Sequence, residues 1–155
     1  MGTIAMKIIV SAVDFSNATP GVLHNAIKLA KAFGSQLHLI HILEPQVPYT
    51  AYGFTPDEFP AVPFYDDEIR IRATRRLDEL KAELAADVPD VVTQLVDGSP
   101  LHAIVEYVKE VNPDLVVLGA HGHGVVASLL LGSVAEGMVR KAVVPTLIVP
   151  APHKE

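Results

Sequence analysis

Leu115-Val116-Val117-Leu118-Gly119-Ala120-His121-Gly122 and, nine residues further on, Gly132-Ser133 are the stretch on which the reading of this chain turns. An apolar run ends in glycine, two more glycines follow, and a hydroxyl residue opens a helical pattern. Glycine lets a backbone approach an anion closely and enter φ > 0 without strain. The amides that open the next helix add donors and partial positive charge. The stretch therefore predicts a strand, a loop that wraps a phosphate chain, and a helix. The plainer alternative is a glycine-rich connection with Ser133 as an ordinary helix cap. The three motif glycines Gly119, Gly122 and Gly132 are more than a tight turn requires, which favours the phosphate loop.

The same alternation extends outward in both directions. Upstream, Lys7 to Val13 is a continuous β-prone run, as in a strand buried on both faces. Asp14-Phe15-Ser16 ends it. Thr19-Pro20 reads as a helix cap and first helical position, Val22, Leu23, Ala26, Ile27 and Ala30 make one apolar face, and Gly34 is a stop. Gln36 to Leu43 is a second strand. A charged amphipathic helix spans about Asp66 to Ala86, and Val91 to Val96 is a third strand. Ser99 caps a helix that runs to Val111, and Asp114 to Leu118 is the fourth strand. Downstream, Ser133 to Val143 is the last helix and Pro145 to Val149 the last strand.

Strands alternating with helices, with strand runs that are apolar rather than alternating, specify a doubly wound parallel α/β sheet. Five strands are compatible with the order 3-2-1-4-5. The winding then reverses between strands 1 and 4, and ligands of such sheets sit beyond the strands' carboxyl ends at that point. Asp14 and Gly119 meet there.

Composition bounds the function. The 155 residues are expected to form one domain, are 50% hydrophobic, and carry a formal charge of −6. That acidity argues against a nucleic-acid surface, which needs a basic patch. The absence of cysteine excludes disulfides, thiolate metal sites and a thiol nucleophile. No apolar run reaches the roughly 20 residues of a membrane span. The start lacks a secretory pattern, and Met6 argues against myristoylation of Gly2. A soluble, cytoplasmic chain is expected.

Five prolines (Pro45, Pro48, Pro56, Pro60, Pro63) and the aromatics Tyr49, Tyr52, Phe54, Phe59, Phe64 and Tyr65 set residues 45–65 apart as a long loop. Its aromatics favour a packed lid or an oligomer contact; the alternative is cover for a sheet edge. No Gly-Lys pair exists, which excludes a P-loop. Gly122-His123-Gly124-Val125-Val126-Ala127 matches a dinucleotide pattern but follows the wrong strand, and Arg140-Lys141 stand where an acidic partner is needed. Asp14 either caps the turn or accepts hydrogen bonds from a nucleoside. His121 and His123 lack a carboxylate at ligand spacing, so His123 is expected to face phosphate, gaining charge on acidification. His38 and His41 are expected in the core or at an edge, and His102 on the surface. Arg70, Arg72, Arg75 and Arg76, interleaved with acids, read as a solvated helix face. Ser133 lacks a nucleophile-elbow context, and no nucleophile–base pair is evident.

With Gly119, Gly122, Gly132 and Ser133 the chain completes the pattern G-x2-G-x9-G-S/T, and it resembles the ATP-binding branch of the universal stress protein family over nearly its whole length. Val13-Asp14-Phe15-Ser16 and Pro145 to Val149 resemble that family's first strand end and closing strand. The resemblance implies the strand order 3-2-1-4-5 and an adenine-nucleotide site. ATP would be cradled by Gly119, Gly122 and Gly132, with Ser133, Val134 and Ala135 reaching phosphates. Adenosine would lie at the Ala12-Val13-Asp14 strand end and against Ile42 and Leu118. Mg²⁺ would arrive with the phosphates. It further implies a homodimer through Thr146–Val149. His123 stands where the family often has Lys or Arg, Ala12 where proline is common, and Ala135 where a hydroxyl is common; these departures bear on affinity. The expected function is a nucleotide-dependent stress-response switch with an unknown protein partner. The alternatives are slow ATP hydrolysis or adenylyl transfer in the same crevice, and a nucleotide-free interaction module using the Tyr49–Tyr65 loop.

Overall fold

In the computed structural model, which describes residues 5–45, 67–121 and 131–152, five strands form one parallel sheet in the order β3-β2-β1-β4-β5. The strands are β1 (Ile8–Ala12), β2 (Gln36–Leu43), β3 (Val91–Asp97), β4 (Leu115–Gly119) and β5 (Thr146–Val149). Helices α1 (Thr19–Phe33), α2 (Asp67–Leu84), α3 (Pro100–Val111) and α4 (Ser133–Lys141) connect them. The doubly wound fold and its strand order are as expected. The long Pro- and aromatic-rich loop lies outside the described residues from 46 onward, as do Gly122 and His123.

The period of two along each strand divides the core. Ile9, Leu37, Leu39 and Val117 face α1 and α2, packing on Val22, Leu23, Ala26, Leu77 and Leu80. Val10, Ile40, Val116 and Leu118 face the other way, against Ile104, Val105, Val108 of α3 and Met138 of α4. Both faces are covered, which is why the strands read as mostly apolar runs rather than as a strict apolar–polar alternation. Among the described residues no helix is long and apolar enough to cross a membrane. The arginine-rich face of α2 is solvated as expected, with Arg72 paired to Glu68 and Arg76 to Glu79.

Several element ends differ from the sequence expectation. α1 begins at Thr19 rather than after it. Ala18 is the cap residue and no side chain caps the helix; ahead of it the Ser16 hydroxyl accepts the Ala18 N–H at 3.3 Å and the Ser16 carbonyl accepts the Thr19 N–H at 3.1 Å. Thr19 is buried instead, and its hydroxyl has no partner among the described residues. Ser99 is the cap residue of α3, but through its carbonyl, which accepts the Ala103 N–H at 2.9 Å, and not its side chain. α4 ends at Lys141, two residues before Val143, because Ala142 turns left-handed (φ 48°) and donates its N–H back to Met138.

His38 lies in the core as expected, within a polar chain. Its Nε2 is 2.7 Å from Gln36 Oε1 and its Nδ1 is 2.7 Å from Tyr107 Oη. The Gln36 oxygen only accepts, so Nε2 donates and Nδ1 accepts from the Tyr107 hydroxyl. Gln36 in turn donates to Asp90 at 3.1 Å. Burial lowers the His38 pKa, against an opposing pull from Asp90. A depressed folded pKa means that the unfolded chain takes up the proton first on acidification. The stability is therefore complete above about pH 6.5, the ordinary histidine value, and is lost as the pH falls through the folded value. The urea midpoint of the wild type is expected to drop more steeply than that of His38→Gln between about pH 7 and pH 5. Parallel profiles would show that His38 does not carry this dependence.

Candidate functional site

β1 is followed by α1 on one face of the sheet, and β4 is followed by α4 on the other. A cavity of about 350 Å³ lies at the carboxyl ends of β1, β2 and β4. The first turns of α1, α3 and α4 line it as well. It occupies the switch point of the winding, where a parallel sheet leaves a crevice by construction.

Ten of the twelve candidate residues line this one cavity: Ala12, Val13 and Asp14 from the end of β1, Ile42 from β2, Leu118 and Gly119 from β4, and Gly132, Ser133, Val134 and Ala135 from the start of α4. The other two, Gly122 and His123, lie outside the described residues. The cavity also takes Ala18 just before α1, Thr19 and Val22 from α1, His41 from β2, Glu44 just after it, Pro100 and Ile104 from α3, and His121. The sequence signal for His41 and Glu44 was their place at the end of β2, the neighbour of β1.

The two described glycines of the motif work differently from the sequence expectation. Positive φ is found at Gly34 and Gly98 but not at Gly119 or Gly132. A Cβ at Gly119 would make ordinary van der Waals contacts, 3.4 Å from the His121 carbonyl oxygen, 3.5 Å from Val22 Cγ2 and 3.6 Å from Ala18 Cβ, so the packing around the end of β4 does not itself demand glycine. Gly132 is the cap residue of α4 with φ −62° and ψ 154°. Its N–H is already given to the Ala120 carbonyl at 2.7 Å, and its carbonyl accepts the Glu136 N–H at 2.9 Å. The amides that open α4 without an intrahelical acceptor are those of Ser133, Val134 and Ala135. They offer donors and the positive end of the helix dipole to the cavity.

Asp14 accepts the Ser16 N–H at 3.0 Å through Oδ1, so it does hold the turn after β1. The same residue lines the cavity. His41 stacks on Phe15, ring centroids 4.1 Å apart, and its Nδ1 is 2.7 Å from the Val13 carbonyl oxygen. His121 Nδ1 is buried without a partner among the described residues. The cavity wall thus combines an apolar slot (Ala12, Ile42, Ile104, Leu118), two carboxylates (Asp14, Glu44) and a set of helix-opening amides. An apolar ring fits the slot, a polyhydroxyl group fits the carboxylate, and an anion fits the amides. Among the described residues no three His, Asp or Glu side chains converge to hold a metal ion.

Comparison with known proteins agrees with this fold. A family model described as the universal stress protein family matches residues 6–150. A universal stress protein of Thermus aquaticus is 32% identical over 145 residues, 92% of this chain and 98% of that protein. The solved structure of the universal stress protein UspA from Lactobacillus plantarum superposes with a TM-score of 0.78 at 22% identity, covering 95% of this chain and 99% of that one. A universal stress protein solved in complex with cAMP superposes at 0.65 with 27% identity, covering 96% of this chain and 99% of that one.

Proposed function

Because the chain belongs to the universal stress protein family, we propose that it binds an adenine nucleotide at the switch-point cavity, with ATP the expected ligand. One observation supports the reading: a single cavity is lined by an apolar slot, the Asp14 carboxylate and the residues that open α4, chemistry suited to a base, a ribose and phosphates. The adenine would lie against Ala12, Ile42 and Leu118, the ribose near Asp14, and the phosphates at Ser133, Val134 and Ala135. Mg²⁺ would come bound to phosphate oxygens, since it keeps much of its own coordination shell. That a related protein was solved with cAMP supports an adenine ligand.

The proposed role is a cytoplasmic nucleotide-dependent switch in a stress response, read by a partner protein. Occupancy would act by tying the end of β4 to the start of α4, and it biases such a switch only as far as its affinity differs between the two states. His123 follows the second motif glycine in sequence, and we assign it to the phosphates. Calorimetric titration with Mg-ATP at pH 6 and pH 8 tests both points. Saturable binding supports the reading, and tighter binding at pH 6 supports the histidine. No heat at either pH, with the fold intact, would overturn it.

The edge strand β5 is short and only Val149 in it is fully buried, while Val139 and Val143 beside it are exposed. An open edge is a template for pairing, and we assign it to a homodimer through Thr146–Val149. Sedimentation equilibrium is expected to give twice the 16.6 kDa chain mass; a single-chain mass would refute the dimer.

A further inference from the structure

Phe15 has φ 60°, the left-handed region that a bulky side chain enters only under constraint. Its neighbour Asp14 is the carboxylate that lines the cavity. What constrains this turn comes from the adjacent strand. β1 ends at Ala12, and the next residue, Val13, still donates its N–H to the Ile40 carbonyl at 2.9 Å. The Val13 carbonyl would be the next group in the ladder, and there a side chain takes over: His41 Nδ1 lies 2.7 Å from it. A carbonyl only accepts, so Nδ1 carries the proton and donates. The same imidazole stacks on the Phe15 ring at 4.1 Å with 23° between the planes. One side chain of β2 therefore holds the residues on both sides of Asp14. Asp14 closes the turn itself through Ser16.

We propose that His41 is a positioning residue of the nucleotide site: it fixes the Val13–Ser16 turn so that Asp14 faces the ligand. This rests on the adenine-nucleotide reading above. A role through Asp14 has a signature that packing alone lacks. Two residues acting as one unit show coupled, non-additive losses in a double-mutant cycle, whereas independent ones add.

The experiment measures Mg-ATP affinity by calorimetry for wild type, His41→Ala, His41→Asn, Asp14→Asn and the double variant His41→Ala with Asp14→Asn. His41→Ala is expected to bind about tenfold more weakly, the effect of one lost hydrogen bond. His41→Asn, which keeps an N–H donor on a short side chain, is expected to recover most of that loss. In the Asp14→Asn background the further loss on removing His41 is expected to shrink to less than about threefold. Nitrogen-15 spectra of the wild type are expected to show His41 protonated at Nδ1, a readout that needs no ligand and no folded variant. A wild type that binds Mg-ATP while His41→Ala binds equally well, or a full tenfold loss retained without Asp14, overturns the positioning role alone. An unprotonated Nδ1 overturns it as well. A wild type that binds no adenine nucleotide overturns the site reading on which it rests.

Discussion

Gly132→Val is expected to abolish Mg-ATP binding, by at least about a hundredfold, in a chain that still folds. The backbone at Gly132 has φ −62° and ψ 154°, which any L residue adopts, so the substitution adds no backbone strain. Its hydrogen bonds, N–H to Ala120 and carbonyl from Glu136, are main-chain bonds and do not need the glycine. Valine is a poorer helix cap, which costs about 1 kcal/mol and, for a chain of this size, about 2–4 °C of melting temperature. The ligand meets the larger consequence. Gly132 is buried and lines the cavity beside the Ser133, Val134 and Ala135 amides. A branched side chain there takes the space through which a phosphate would approach those amides. Losing charge-assisted bonds of that kind removes about 1.5–3 kcal/mol each, and about 2.7 kcal/mol suffices for a hundredfold. Calorimetry with circular dichroism checks both halves. Retained binding in a folded variant would show that the phosphates, if bound at all, do not approach past Gly132.

Asp14→Asn separates the two roles that the sequence left open for Asp14. Asparagine keeps the Oδ1 that accepts the Ser16 N–H, so the turn should survive. It replaces the other carboxylate oxygen by an amide group, which donates where a nucleoside hydroxyl or amine also donates. The expected loss of Mg-ATP affinity is about tenfold or more, from a hydrogen bond to a charged group worth about 1.5–3 kcal/mol, with a melting temperature near that of wild type. Asp14→Ala should show the same loss of affinity together with a loss of stability of about 1 kcal/mol from the missing turn bond. Wild-type affinity in Asp14→Asn, measured alongside, would make Asp14 a turn residue only.

The sheet was legible in the sequence because its signal is redundant. Leu115 to Leu118 is apolar on both faces, and Leu37 to Leu43 carries apolar residues on both faces despite His38 and His41, as in a strand covered by helices on both sides. The switch point followed from the strand order, and with it the meeting of Asp14 and Gly119. Element ends were less legible, for local reasons. Val143 continues the apolar period of α4, and nothing in that period reveals that Ala142 turns left-handed. Thr19 has the chemistry of a cap, but Ala18 is the cap residue and the Thr19 side chain is buried in the first turn. Gly119 was read as allowing a positive φ or a close backbone approach to an anion; its φ is not positive, and Ala18 and Val22, which would be in ordinary contact with a Cβ there, are brought to it by a tertiary approach that spacing does not encode. His41 looked like a core or edge residue for the same reason. Its partners, Val13 and Phe15, are more than 25 residues away in sequence and are brought to it only by the pairing of β1 with β2.

The central claim is that an adenine nucleotide occupies the cavity at the carboxyl ends of β1, β2 and β4. Amide chemical-shift mapping during a Mg-ATP titration tests it most directly, because it reports place as well as affinity. The account expects saturable shifts centred on Val13, Asp14, Ile42, Gly119 and the amides of Ser133, Val134 and Ala135, with the α2 face silent. Shifts centred elsewhere, or none up to about millimolar ligand, would contradict it.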